Sequence, residues 1–196
     1  MHRRQLLVAG GSLFALSACA ANGMSMGGGA SAATLASDAA AARALLPVQT
    51  PRAELLQVWT GPYEGVPPWN RVTADKLKAA ILEGIELQRA EYAAIADNPE
   101  PPTFANTLVA GQMAGEPLGR ALAMFGVMTG NIGSPDYQAV QREVAPILTQ
   151  AGNEITFNER LFQRVKSVAD NARALGLTAE QTRLAERNRD ALIRNG

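Results

Sequence analysis

Histidine is almost missing from this chain: among 196 residues only His2 is one, and only Cys19 is a cysteine. A single cysteine excludes an internal disulfide. One imidazole near the N-terminus excludes the serine triads, cysteine-histidine dyads and histidine-bearing zinc sites that need such a ring to move a proton or donate a lone pair. Neither sign of charge is in excess, with 18 basic and 18 acidic side chains, so no basic stripe offers contacts to a nucleic acid. Without a Gly-x-x-x-x-Gly-Lys-Ser/Thr run to cradle phosphates, nucleotide hydrolysis has no support. Long hydrophobic runs are missing too. The apolar stretch from Leu6 to Ala18 spans 13 residues, whereas a helix crossing a hydrocarbon core needs about 20. What remains, at 47% hydrophobic and 18% charged, is the composition of an ordinary globular chain.

The apolar stretch follows a short basic segment, Met1 to Arg4, and ends in Leu16-Ser17-Ala18-Cys19. A charged start, an apolar middle and small residues at the end form the layout of a secretory signal. The Leu-Ser-Ala-Cys segment resembles the lipobox of bacterial lipoproteins, in which the cysteine thiol receives a diacylglycerol and the chain is cut just before it. Residues 1–18 are therefore expected to be a signal peptide and Cys19 the lipidated mature N-terminus. The expected location is the bacterial cell envelope, on the periplasmic side of a membrane that the lipid anchors. Arg3-Arg4-Gln5-Leu6-Leu7 resembles a twin-arginine export signal. An ordinary basic n-region reads the same way, so both export routes stay open. Cleavage removes His2 and leaves the chain slightly acidic.

Residues 19–50 read as a tether. Ala20 to Ala33, with Met24-Ser25-Met26-Gly27-Gly28-Gly29, has little to bury and should be flexible. The Ala-rich run Thr34 to Leu46 is a marginal helix interrupted by Pro47 and Pro51. From Thr60 to Asn70, three prolines and two glycines exclude a regular helix or a central strand. Trp59, Tyr63 and Trp69 would repay the ordering of this loop by packing against helices.

Helical signals then follow one another. Thr73 is an N-cap with Asp75 in the first turn, and Leu77, Ile81, Ile85, Tyr92 and Ile95 recur near the 3.6 period up to Asp97-Asn98-Pro99. A second helix starts at Pro102-Thr103 and carries Leu108, Met113, Leu118, Leu122, Phe125 and Met128 before Gly130, bent or divided at Pro117. Ser134-Pro135-Asp136 opens a third toward Gly152, with a kink expected at Pro146. Asn158 opens a fourth, with Leu161, Phe162, Val165, Val168, Ala172 and Leu175 on one side and Gly176 as its stop. Thr178-Ala179-Glu180-Gln181 fits a capping box for the last. No segment alternates with a strand period. The chain reads as all-α, an antiparallel helical layer or bundle. Leu161, Phe162, Val165 and Val168, with Leu118, Leu122 and Phe125, supply more apolar surface than such a thin layer is expected to cover.

Five runs in order carry a resemblance: Gly61-Pro62-Tyr63-Glu64-Gly65-Val66-Pro67-Pro68-Trp69; Asn98-Pro99-Glu100-Pro101-Pro102-Thr103-Phe104-Ala105-Asn106-Thr107; Glu143-Val144-Ala145-Pro146; Leu161-Phe162-Gln163-Arg164-Val165-Lys166; and Leu175-Gly176-Leu177-Thr178-Ala179-Glu180-Gln181. Together they resemble the N-terminal helical region of the thimet-type zinc metallopeptidases, the oligopeptidases and peptidyl-dipeptidases, with the latter branch nearer. Ala105 stands where the family usually has glutamate, and Trp69 where phenylalanine is common. The resemblance implies that residues 51–196 are the N-terminal part of a larger, mostly helical peptidase fold. They would form a wall of a channel that admits short unfolded peptides. Zinc in that family is held by a His-Glu-x-x-His helix and a downstream glutamate, none of which maps onto this chain, so the resemblance assigns no catalytic, cofactor-binding or metal residue here. It implies an N-terminal fragment of an envelope zinc oligopeptidase that releases C-terminal dipeptides from short peptides, with the missing catalytic half as intramolecular partner. Phe104, Asn106 and Thr107 match the family pattern, and a cap leading into a helix accounts for them without a ligand. The alternative is a freestanding, non-catalytic helical lipoprotein acting as an interaction module.

Overall fold

A computed structural model of the chain describes residues 30–62 and 65–195. The expected signal segment with Arg3 and Arg4, the lipidation residue Cys19, and Tyr63 lie outside the described residues. In chain order the α-helices are α1 (Ala32–Leu45), α2 (Ala74–Ala96), α3 (Ala110–Met113), α4 (Glu116–Val127), α5 (Pro135–Thr156), α6 (Glu159–Asp170) and α7 (Ala179–Asn195). Wider π-helical turns, Phe104–Val109 and Met128–Ile132, precede α3 and follow α4. There is no strand among the described residues, and the fold is all-α.

Local chemistry sets the boundaries. Thr73 is extended and its hydroxyl accepts the Lys76 N–H, which starts α2. The Asn158 side chain accepts the Leu161 N–H at 3.0 Å and starts α6. Thr178 and Gln181 form the reciprocal box, with the Thr178 N–H on Gln181 Oε1 at 3.0 Å and the Gln181 N–H on the Thr178 hydroxyl at 3.2 Å. Each such cap satisfies amides that a helix start leaves without partners.

The main core forms where α4 and α5 pack on α2. Leu77, Ile81 and Ile85 of α2, Met124 of α4 and Val144 of α5 are shut off from solvent, with Leu55 and Leu56 from the short turn Glu54–Leu56. Each large aliphatic side chain buried this way contributes about 1.5–3 kcal/mol. Gly84 permits the approach of α4, since a Cβ there would come 3.0 Å from the Leu118 Cα. α4 runs against α2: Glu91 meets Gly115 at the start of α4, while the earlier Gly84 faces Leu118. α5 runs parallel to α2. Lys78 pairs with Glu143 and Arg89 with Glu154, both 65 residues apart, so the partners advance together along the two helices. The parallel pair arises because α4 returns the chain between them.

Several expectations shift. The predicted tether over 19–50 contains α1, whose Ala42 is fully buried against Ile95, Ala96, Ala110 and Leu161. Small side chains let α1 sit close to its neighbours, so packing proceeds without the large apolar stripe that periodicity seeks. The helix predicted over 102–130 breaks at Ala114-Gly115, with Pro117 in the first turn of α4, where a missing N–H costs nothing. α5 continues through Pro146 and past Gly152 to Thr156. α6 ends at Asp170, and turns lead to Gly176, left-handed at φ +66°. Trp59 packs against the main core, whereas Trp69 is 45% exposed rather than clamped down. Leu118, Phe125, Leu161, Val165 and Val168 are buried, and Leu122 and Phe162 partly so. The apolar surface predicted to lie open there is covered by the chain's own helices.

Candidate functional site

The run Asn98 to Thr107 folds into a polar knot between the end of α2 and the first π-helical turn. The Asn98 side chain accepts the Glu100 N–H at 3.0 Å and turns the chain before its prolines. Thr103 and Asn106 cap each other: the Asn106 N–H reaches the Thr103 hydroxyl at 3.1 Å, and the Thr103 N–H reaches Asn106 Oδ1 at 2.8 Å. The same Oδ1 accepts the Thr107 hydroxyl, also at 2.9 Å from Arg164 Nη2, and Asn106 Nδ2 donates to the Pro101 carbonyl at 3.0 Å.

Arg164 reaches this knot from α6 and is only 7% exposed. Its Nη1 donates to the carbonyls of Asn98 at 2.8 Å and Glu100 at 3.1 Å. No carboxylate meets it, and burial pulls its pKa below the ordinary arginine value. Compensation comes from carbonyl oxygens just past the C-terminus of α2, where the helix dipole is negative. Arg160, one turn earlier on α6, pairs with Asp97 at the same end. The sequence reading missed Arg164 as an organising residue. Its signal was positional, because it stands three residues after Leu161 and one before Val165 on the buried stripe of α6.

Two titratable groups sit at the joint between α3 and α4. Burial pushes the Glu91 carboxyl up, the Gly115 N–H at 2.6 Å pulls it down, and the neighbouring Glu116 charge pushes it up again. Burial also raises the Tyr92 hydroxyl, which donates to the Gly111 carbonyl at 3.1 Å. Both are committed to backbone partners and hold the joint in place. Beside it opens a cleft of about 380 Å³ between the first π-helical turn, α6 and α7, with Tyr92, Phe104, Leu108, Leu161, Leu184 and Leu192 in its walls. That volume suits a small ligand or a few side chains of a partner, and the lining offers apolar recognition.

The family resemblance implies zinc. Among the described residues no three histidine, cysteine, aspartate or glutamate side chains come together to hold a metal ion, and the one imidazole and one thiol of the chain, at His2 and Cys19, lie outside them. The described residues do not fit a zinc site. None of their helices is long and apolar enough to cross a membrane.

No protein-family model matches the chain. It is similar to the dipeptidyl carboxypeptidase of Escherichia coli strain K12, 35% identical over 120 residues, which is 61% of this chain and 18% of that protein. It is also similar to the dipeptidyl carboxypeptidase of Salmonella typhimurium strain LT2, 32% identical over 125 residues, 64% of this chain and 18% of that one. The matched stretch thus spans less than a fifth of either relative. The similarity supports a peptidyl-dipeptidase-like relationship.

Proposed function

We propose that this chain is the N-terminal helical region of an envelope zinc oligopeptidase of the thimet type, one that releases C-terminal dipeptides from short peptides. In this reading it forms a wall of the peptide channel, and zinc and the catalytic groups belong to the remainder of the enzyme. The observation that carries the reading is the 35% identity over 120 residues with a dipeptidyl carboxypeptidase. The knot around Asn106 and Arg164 adds to it, since it gives the most specific motif of the resemblance an architectural task and leaves chemistry to other parts of the protein. Cys19 carries the lipid that holds the protein at the membrane, and Arg3-Arg4 serve export.

The test is complementation. The Escherichia coli dipeptidyl carboxypeptidase, trimmed of its matched stretch, is produced with and without this chain, and release of C-terminal dipeptides is measured. Restored, chelator-sensitive release in the joint sample is the expected result; a folded trimmed enzyme that stays inactive with the chain bound speaks against the reading. For the anchor, Cys19→Ala is expected to shift the protein from membrane to soluble fractions.

One observation favours the alternative of a freestanding helical lipoprotein: Leu118, Phe125, Leu161 and Val168 are covered within the chain itself. Full complementation failure together with a monodisperse, cooperatively unfolding chain would select it.

A further inference from the structure

The surface depressions of the molecule are not scattered. The cleft beside Tyr92 shares Leu184, Asn188 and Ala191 with a second depression along α7, and Thr156 and Leu192 with a third at the α5–α6 junction; that third shares Phe157 with a fourth on α5. They form one continuous belt across the outer side of α7 and the end of α5. Its apolar residues are open to solvent, with Phe157 at 59%, Ile193 at 57% and Leu184 at 48% exposure. α7 itself has only Gln181 and Ala185 fully buried over its 17 residues. A helix of that length draws its stability mainly from the packing of an apolar face, and here much of that face is unpartnered.

Charge says what kind of partner fits. Arg187 and Arg194 line the depression along α7 and are exposed. Neither has an ion-pair partner among the described residues, whereas the acidic Asp190 between them is taken by Arg189 at 2.8 Å. Of the other carboxylates in the belt, Glu154 is held by Arg89, and Glu159 accepts from Gln163. The belt is therefore apolar along its floor, with unmatched positive charge along one edge. The geometry points to a docking surface for a helix with an apolar stripe flanked by acidic residues, and, resting on the reading above, we propose that the catalytic remainder of the peptidase supplies that helix. The knot at Asn106 fixes α6, and α6 carries α7, so the belt is presented on a rigid support.

A fluorescent, leucine-striped helical peptide with glutamates along its flank is the probe, and its lysine-flanked counterpart is the control, each titrated against the 196-residue chain. The chain is expected to bind the glutamate peptide about ten-fold more tightly than the lysine peptide at low salt. Arg187→Glu combined with Arg194→Glu should reverse the order, and Leu184→Ser should weaken both. These positions are exposed, so circular dichroism of the variants is expected to match the parent. Equal binding of the two peptides, no binding, or binding indifferent to the arginine reversal overturns the proposal. The same variants enter the complementation assay. If the parent chain and the arginine-reversed chain restore dipeptide release alike, the docking surface lies elsewhere and the proposal fails, while the reading of the chain as a peptidase region stands. If neither restores release and the glutamate peptide still binds in an arginine-dependent way, that reading fails and the belt remains a docking surface for an acidic helix.

Discussion

Around α2, the side chains of Leu77, Ile81 and Ile85 are closed off by α4 and α5, whereas α7 closes off only Gln181 and Ala185 and leaves Leu184 and Ile193 open. The region around α2 holds itself together with large aliphatic groups, and charge pairs run along its rim. The region around α6 and α7 relies on a smaller buried set, with Ala169 and Ala185 beside Phe104, Leu108 and Val168, and on the polar knot centred on Asn106 and Arg164. One region is complete in apolar contacts and the other is complete only in polar ones. Substitutions should therefore have very unequal effects in the two.

The largest expected effect is in the first region. Ile81→Ala removes methyl groups from a site with no solvent exposure, and loss of burial plus the cavity left behind should cost about 2–5 kcal/mol. Leu184→Ala, at an open position on α7, should stay within about 0.5 kcal/mol. Urea unfolding of both variants checks the contrast; comparable losses would mean that α7 is packed as fully as α2.

Next in size is Arg164→Met, which keeps much of the side-chain volume but leaves the Asn98 and Glu100 carbonyls without their donor. Asn106 Oδ1 still has Thr103 and Thr107 as donors, so the expected loss is about 2–3 kcal/mol. Hydrogen exchange should show it as earlier opening of α6 and α7, with amides of α2 changed little. Uniform loosening of all helices would break the distinction between the regions.

Much of this was legible in the sequence. Thr73, Asn158 and the Thr178-Gln181 pair announced their helices, because a cap is a local hydrogen bond between residues three apart. Most of what stayed hidden depends on distance in the chain. Nothing near Ala42 says that Ile95 and Leu161 will cover it, and nothing near Arg164 says that carbonyls 64 and 66 residues earlier will receive its guanidinium. The surplus apolar surface expected on α4 and α6 was assigned to the wrong helices for the same reason. Periodicity shows that a stripe exists, and only the packing shows which stripes meet.

A subtler effect concerns the joint at which α4 leaves α2. The Glu91 pKa is raised by burial above its ordinary value near 4.5, so the folded chain holds that proton more tightly than the unfolded chain. The sign follows: this group favours folding while protonated, and its contribution falls as pH rises from about 4.5 through the folded value. Glu54, Glu154 and Asp170 are shifted down by hydrogen bonds from basic side chains and act in the opposite sense. The informative quantity is thus the difference between parent and Glu91→Gln. Glutamine still accepts the Gly115 N–H and carries no charge, so the variant should gain on the parent as pH rises across that window. A difference that does not change with pH would show that Glu91 is not held in a desolvated place.

The smallest expected effect concerns the pairs between α2 and α5. Lys78 and Glu143 are well exposed, as is Glu154, and Arg89 also pairs with Glu86 on its own helix. Water screens such pairs and ordering long side chains offsets part of the attraction. Lys78→Ala should therefore move the melting temperature by no more than about 2 °C, and the shift should vanish near 1 M salt, where the Debye length is about 3 Å. What these pairs do carry is register, since both span 65 residues and together require α5 to run parallel to α2. Charge exchange tests this with a readout that does not depend on a large energy: Lys78→Glu alone should lower the melting temperature slightly, and adding Glu143→Lys should restore it. Adding Glu154→Lys instead should not, because Glu154 lies beside Arg89, three turns along the parallel pair. Rescue by the wrong partner would reverse the direction of α5, and with it the assignment of the α5 end to the belt on α7.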